Sequence, residues 1–257
     1  KKKKKKKTSA AVFLRARRPP NKNRRSAAGT RAALLAGPSG SGKTTLFLEL
    51  TKKRRSNGTV ASMTENEGVA AVLSNSGDSN SKNSLRRVPI VDAPGHPRLR
   101  ALAASRAPAA TALVFVVDSS DFLPRKADAA EALAGLLAGS WRRRKKGISV
   151  LLACNKSDKG EAAHSPEFIR RRLEKEIDAL IASAATGGLA GEEKEGNEDD
   201  KGGEVGDESL AALLRRAGEQ FTFAGLAKAG GPALETCACS AIKGEVSSVS
   251  SFLARHG

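Results

Sequence analysis

One eight-residue run constrains this chain more than any other: Gly37-Pro38-Ser39-Gly40-Ser41-Gly42-Lys43-Thr44 fits the pattern G-x-x-x-x-G-K-[ST]. It follows the apolar segment 32–36 directly and opens directly onto a helix-periodic stretch, 43–53. A strand, a glycine-rich turn and a helix in that order let successive backbone N–H groups point inward at phosphate oxygens, with the positive end of the helix behind them. The pattern places the Lys43 ammonium at the β- and γ-phosphates and the Thr44 hydroxyl on Mg²⁺. Thr45 completes the nucleotide-facing run.

The rest of the chain alternates in the way such a loop requires. Apolar runs at 32–36, 69–73, 88–91, 112–117, 148–153 and 233–238 read as strands, most of them of the continuously buried kind. Helix candidates lie at 43–53, 97–106, 125–137, 166–182 and 243–255. Alternation of this sort implies right-handed crossovers and a three-layer α/β domain of the P-loop NTPase class. Its six-stranded sheet is expected to be mainly parallel with one antiparallel strand, the second and third strands being joined by the polar Ser/Asn-rich connection 74–87.

Three further motifs fall at strand ends. In Ile90-Val91-Asp92-Ala93-Pro94-Gly95-His96, Asp92 is a carboxylate placed to hold Mg²⁺ through water, and the Gly95 N–H is placed to meet a γ-phosphate. Asn155-Lys156-Ser157-Asp158 ends another apolar run: Asp158 can accept two hydrogen bonds from guanine N1–H and its 2-amino group, which adenine cannot offer. Asn155 is expected to contact the base and brace loops, and the Lys156 stem to cover a base face. Ser240-Ala241 ends the last strand, with the Ala241 N–H directed at guanine O6. The order of the motifs puts all of them on the edge where open parallel sheets bind ligands, so GTP with Mg²⁺ is the expected ligand pair. Between the first helix and second strand, Thr59 is the expected hydroxyl closing on Mg²⁺ and γ-phosphate, with Ser62 as the alternative. His96 occupies the place of a water-orienting residue and is the candidate catalytic group; with no cis arginine evident, slow hydrolysis is expected.

Charge is unevenly placed along the 257 residues. Residues 1–31 hold 14 of the 45 Lys and Arg and no acidic residue, leaving 31 basic against 27 acidic residues elsewhere. That segment reads as a disordered basic tail, attracted to an anionic membrane surface at about 1 kcal/mol per basic residue. Only 4% of residues are aromatic and none is Tyr, which argues against base-stacking platforms and specific nucleic-acid binding. Residues 183–209, with nine acidic residues and two lysines, read as a disordered insertion. The cysteines Cys154, Cys237 and Cys239 form neither a CxxC pair nor an even set, so they read as buried or half-buried thiols. His164 and His256 read as surface residues. No apolar run approaches the length of a membrane helix.

The phosphate loop continued through Thr45-Leu46-Phe47, the stretch Thr59-Val60-Ala61-Ser62-Met63 with Asn66-Glu67, Asp92-Ala93-Pro94-Gly95-His96-Pro97-Arg98-Leu99-Arg100, Val114-Phe115-Val116-Val117-Asp118-Ser119, the Asn155–Asp158 motif and the helix 169–177 together resemble the family of signal recognition particle receptor beta subunits. The resemblance covers nearly all of residues 32–257 and implies an Arf-like, Ras-related GTPase domain. It further implies a receptor subunit at the cytosolic face of the endoplasmic reticulum membrane, which binds the alpha subunit in its GTP state and takes part in co-translational protein targeting with ribosome and translocon. Family members are similar in carrying a membrane helix just before the GTPase domain, where this chain has its polylysine segment. Residues 1–31 would then be a cytosolic juxtamembrane linker, in accord with the positive-inside rule, if such a helix precedes Lys1; otherwise anchoring would rest on the alpha subunit and lipid electrostatics. Some relatives have Thr where this chain has Ala61. The alternative reading is a translation-factor-type or other Arf-like GTPase of a different pathway, since D-x-P-G-H also occurs among translation factors; the 16 residues after Ala241 leave no room for their appended β-barrel.

Overall fold

A computed structural model describes residues 31–52, 62–74, 84–142, 148–187, 212, 215 and 220–257. The chain divides into Lys1–Thr30 and Arg31–Gly257, and all described residues belong to the second unit. Its six strands are β1 (Ala33–Ala36), β2 (Asn66–Ser74), β3 (Ser84–Asp92), β4 (Ala112–Asp118), β5 (Ser149–Asn155) and β6 (Ala233–Ala238). They form one sheet in the order β2-β3-β1-β4-β5-β6. All neighbours are parallel except β2 and β3, whose antiparallel register runs from Asn66 opposite Asp92 to Ser74 opposite Ser84. The sheet expected from the sequence is thus present, with longer β2 and β3 than the apolar runs alone suggested: cross-strand pairing recruits the polar residues 84–87 that flank the run.

Strand alternation sorts the sheet residues between two cores. Leu34, Leu113, Phe115, Val117, Val150 and Leu152 face one side. There they meet α2 (Arg100–Arg106), α3 (Lys126–Arg142), α4 (Pro166–Gly187) and α5 (Phe223–Lys228), through residues such as Ala103, Leu133, Ile169 and Phe223. Ala33, Leu35, Val114, Val116, Leu151 and Ala153 face the other, covered by α1 (Lys43–Lys52) and α6 (Ser247–His256) through Leu46, Phe47, Phe252 and Leu253. Because β1, β4 and β5 are covered on both faces, they carry no polar alternation, which is why their sequences read as continuous apolar runs.

Several helix boundaries differ from expectation and one helix was not expected; the helix expected at 125–137 spans Lys126–Arg142. The helix expected at 97–106 opens as a 3₁₀ turn, Pro97–Leu99, whose cap is the His96 side chain; only then does α2 begin. The helix expected to end at 182 continues to Gly187, so the first five residues of the expected acidic insertion are helical, while 188–209 lie outside the described residues. The last helix starts at Ser247 rather than 243, because an antiparallel bridge between Ser240 and Glu245 holds the preceding residues in a turn. Finally, α5 is too short to show periodicity in sequence; it is fixed by Thr222, whose hydroxyl accepts from the Gly225 N–H, and by burial of Phe223 and Leu226. Thr59, residues 1–30 of the basic segment and 75–83 of the β2–β3 connection lie outside the described residues. No helix among the described residues is long and apolar enough to cross a membrane.

Phe115 is the largest fully buried side chain of β4. Phe115→Ala is expected to lower the unfolding free energy by about 3–5 kcal/mol, read from urea titration, because the side chain is fully buried in the larger core cluster and its loss leaves a cavity there.

Candidate functional site

From β1 the chain crosses to the edge strand β2, comes back beside β1 as β3, and then continues as β4 on the other side of β1, so the sheet's order reverses at β1. The glycine-rich loop sits at the carboxyl end of that strand, where open α/β sheets bind ligands. Gly37 leaves β1 at φ +141, and a Cβ there would fall 2.1 Å from the Val116 carbonyl oxygen; no other residue fits. The next carbonyls are held from outside by side-chain donors. Arg125 Nη1 donates to Ser39 O at 2.8 Å, Lys156 Nζ to Gly40 O at 2.9 Å and Asn155 Nδ2 to Ser41 O at 2.9 Å. In a planar trans peptide the N–H points opposite its carbonyl, so the N–H groups of Gly40, Ser41 and Gly42 are turned to the inside of the loop. The first turn of α1, starting at Lys43, adds the positive end of its dipole to the same concavity.

Lys43 stands inside this loop with 6% of its surface exposed. Its ammonium donates to neutral atoms, Pro38 O at 2.7 Å and Ser41 Oγ at 3.5 Å. Burial pulls its pKa down to about 8, against the opposing pull of Asp92 through space. An ammonium so placed lacks the contact charge that would offset its desolvation, and a phosphate in the loop would supply it.

Asp92, at the end of β3, is fully buried. Its Oδ2 accepts from Thr44 Oγ1 at 2.9 Å and from Asn66 Nδ2 at 3.1 Å, and Asn66 also donates to Ser62 Oγ at 3.2 Å, itself 3.3 Å from Thr44 Oγ1. Burial raises the Asp92 pKa despite the hydrogen bonds from Asn66 and Thr44 and the nearby Lys43 charge. Its Oδ1 is buried with no hydrogen-bond partner, a deficit worth about 1–3 kcal/mol. One orphaned carboxylate oxygen beside a threonine hydroxyl suits Mg²⁺, which takes one or two carboxylates and completes its shell with phosphate and water. Among the described residues no cluster of three or more His, Cys, Asp or Glu offers a site of another kind.

Gly95 closes the loop from the switch side. A Cβ on it would lie 2.4 Å from Lys43 Nζ and 2.8 Å from the Ser39 nitrogen, so the backbone here comes as near the phosphate cradle as a residue without a side chain allows. His96 follows, half-buried, with Nδ1 accepting from the Arg98 N–H at 3.2 Å. That bond assigns the proton of the neutral ring to Nε2, which makes the free face of His96 a donor rather than a base.

The base-side motifs converge through the parallel pairing of β5 and β6. The Asn155 amide, 2% exposed, is engaged at both ends: Nδ2 on the phosphate loop and Oδ1 accepting the Ala241 N–H at 3.0 Å. The N–H that the sequence assigned to guanine O6 therefore points, in this structure, at Asn155. Asp158 is half-buried, and its Oδ1 accepts from Ser240 Oγ at 2.6 Å, which fixes the carboxylate's orientation. Lys156 adopts the left-handed conformation, φ 66, and its stem spans the site so that Nζ reaches both Gly40 O and Asp118 Oδ2, the latter at 2.5 Å. Burial works against ionisation of Asp118, but hydrogen bonds from Lys156 and from the Ser120 hydroxyl and N–H outweigh it, and the pKa is lowered.

Three residues of the site were given no role by the sequence reading: Asn66 and Asp118, which entered only within the stretches that carry the family resemblance, and Arg125. Asp118 carried a usable signal, a lone acid closing a buried apolar strand just as Asp92 does. Asn66 carried only the resemblance and Arg125 no signal, since strand register and the turn before α3 are what bring them in. Of the thiols, Cys154 and Cys239 are buried and Cys237 is half-buried. His164 stacks on Phe168, and His256 packs on Phe252 and bonds to Ser149 Oγ, so neither is the plain surface residue expected.

Comparison with known proteins bears on family and fold. The family model for the signal recognition particle receptor beta subunit matches residues 28–229. The signal recognition particle receptor subunit beta of Homo sapiens is 40% identical over 151 residues, and that of Mus musculus 38% over 151 residues, each match covering 58% of this chain and 52% of the relative. The chain thus spans about half the length of the curated relatives it matches. The solved structure of the mammalian SRP receptor superposes with a TM-score of 0.64 at 28% identity, covering 88% of this chain and all of that one. The SRb-GTP/SRX complex from Chaetomium thermophilum superposes with a TM-score of 0.66 at 19% identity over 88% of this chain and all of that one, and shows the shared fold.

The lowered Lys43 pKa gives a signed pH dependence. Above pH 8 the free chain holds Lys43 neutral, whereas a bound polyphosphate favours the ammonium, so binding takes up a proton and affinity falls as pH rises through that value. Calorimetric titration of nucleotide in buffers of different ionisation enthalpy, from pH 7 to pH 9.5, is expected to show that uptake, with Lys43→Arg flattening the profile. In the unliganded chain the sign reverses: unfolded lysine keeps its proton to about 10.5, so the folded state gains stability relative to Lys43→Met between pH 8 and 10.5.

Proposed function

The chain belongs to the signal recognition particle receptor beta subunit family, and on that premise we propose that it is a GTP-binding docking subunit for the receptor's alpha subunit in co-translational targeting. The observation that carries the nucleotide reading is the wiring of Asn155 and Lys156: consecutive residues of N-K-x-D hold consecutive carbonyls of the phosphate loop. A site built for base and phosphates together needs that bridge, and a phosphate site alone does not. Gly37 to Thr45 take the phosphates, with Lys43 at the β- and γ-positions and Gly95 at the γ-phosphate. Asp158, braced by Ser240, takes the guanine N1–H and 2-amino group, and Ala241 lies at the same end. Thr44 and Asp92 would hold Mg²⁺, which would supply positive charge against the phosphates, and Thr59 is the hydroxyl that would close over it. Hydrolysis is slow, since no arginine of the sequence is evident as a charge-stabilising group in cis and His96 Nδ1 is already engaged by the Arg98 N–H.

Family membership supports the alpha subunit as partner, and the Chaetomium receptor solved as an SRb-GTP/SRX complex supports a partner recognised in the triphosphate state. The basic segment 1–31 would lie against the anionic cytosolic face of the endoplasmic reticulum, with residues 32–257 as the GTPase domain.

Calorimetry with GTP, GDP and ATP in Mg²⁺, with and without the alpha subunit's N-terminal domain, tests both parts. Tight GTP binding that strengthens with that domain, with ATP ignored, is the expected result. Tight GTP binding without coupling would assign the chain to another GTPase pathway, and absence of guanine preference would overturn the nucleotide reading. Asp158→Asn is expected to shift preference from GTP toward XTP, because the amide complements a carbonyl at C2; competition of the two nucleotides for one labelled probe reads it directly.

A further inference from the structure

Arg125 stands at the end of the 3₁₀ turn Leu123–Arg125, between β4 and α3, and no sequence motif singles it out. The turn is pinned under the domain by Phe122, buried to 2% exposure, whose carbonyl accepts the Arg125 N–H at 3.0 Å. From that fixed base the guanidinium is oriented at two points. Its Nε pairs with Asp121 Oδ2 at 3.0 Å, and its Nη1 donates to Ser39 O at 2.8 Å across 86 positions of sequence. The same Nη1 lies 3.4 Å from where a Cβ on Gly40 would be, so the fork rests directly on the outer wall of the loop.

The two other outer carbonyls are held by Asn155 and Lys156 of N-K-x-D; Ser39 O is the one that motif does not reach. We propose that Arg125, oriented by Asp121, is a third strap of the phosphate loop: a positioning residue that fixes the Ser39–Gly40 peptide with its N–H inward and so slows nucleotide release. The inference rests on the nucleotide reading above. A peptide unit with a free carbonyl can rotate and turn its N–H away from the phosphate, whereas one clamped at the carbonyl cannot, and the guanidinium also brings a positive charge to the loop's outer wall. A fork is required, because one group must grip the carbonyl and the Asp121 carboxylate at once; an ammonium on a flexible stem does not hold that geometry.

The test is release of a fluorescent guanosine diphosphate from the full chain, chased with unlabelled nucleotide, in wild type, Arg125→Gln, Arg125→Lys and Asp121→Asn. Release is expected to quicken about three- to tenfold in Arg125→Gln, as for loss of one hydrogen bond, and to quicken in Arg125→Lys as well, with a smaller rise in Asp121→Asn. The thermal midpoint of each nucleotide-free variant should match wild type, and guanine-over-xanthine preference should be unchanged; a merely structural arginine would lower the midpoint instead. Wild-type release rates in Arg125→Gln, or full rescue by Arg125→Lys, would overturn the strap while leaving the nucleotide reading intact. If the wild-type chain retains no labelled nucleotide, the nucleotide reading falls and the strap with it.

Discussion

The buried ammonium of Lys43 is the constraint around which the rest of this structure is arranged. A cation desolvated to 6% exposure, with neutral oxygens for partners, is a standing electrostatic deficit that a polyphosphate would remove. The deficit is tolerated because the loop around Lys43 is anchored on every side: by the parallel sheet beneath, by α1 behind it and by side chains that hold its carbonyls from outside. Asp92, near enough for its charge to act on Lys43, carries the complementary deficit, with one oxygen satisfied by Thr44 and Asn66 and the other left bare. Opposite unmet charges in one cleft define what can enter it, a polyanion accompanied by a divalent cation.

Connection between the two halves of the site is made by side chains rather than by backbone. Asn155 ties β5 to the phosphate loop and to the turn after β6, and Lys156 ties the same strand end to Gly40 and Asp118. The left-handed backbone of Lys156 is a local cost of about 1–3 kcal/mol that these bonds offset. A disturbance of the base end is therefore felt at the phosphates, since consecutive residues grip consecutive carbonyls.

The switch-side residues are tethered more lightly and on the outside. Arg100 pairs with Asp128 and Glu131 of α3, and Arg106 pairs with Glu65 next to the start of β2, so α2 is held to its neighbours by half-exposed ion pairs. Such pairs are worth little individually and are exchanged at small cost.

The sequence by itself determined the α/β class, the antiparallel second strand, the phosphate loop and the placing of Asp92, Asn155 and Asp158 at strand ends. It did so because buried parallel strands must be continuously apolar, so any charged residue closing one stands out. Only the tertiary structure decided what Asn66, Asp118 and Arg125 do, since their roles arise from strand register, a parallel neighbour and a turn whose anchor, Phe122, reads in sequence as one more apolar residue. It also decided what the Asn155 amide and the His96 ring nitrogens bond to, because a hydrogen bond depends on which atoms face each other, and residue identity leaves that open until the chain is packed.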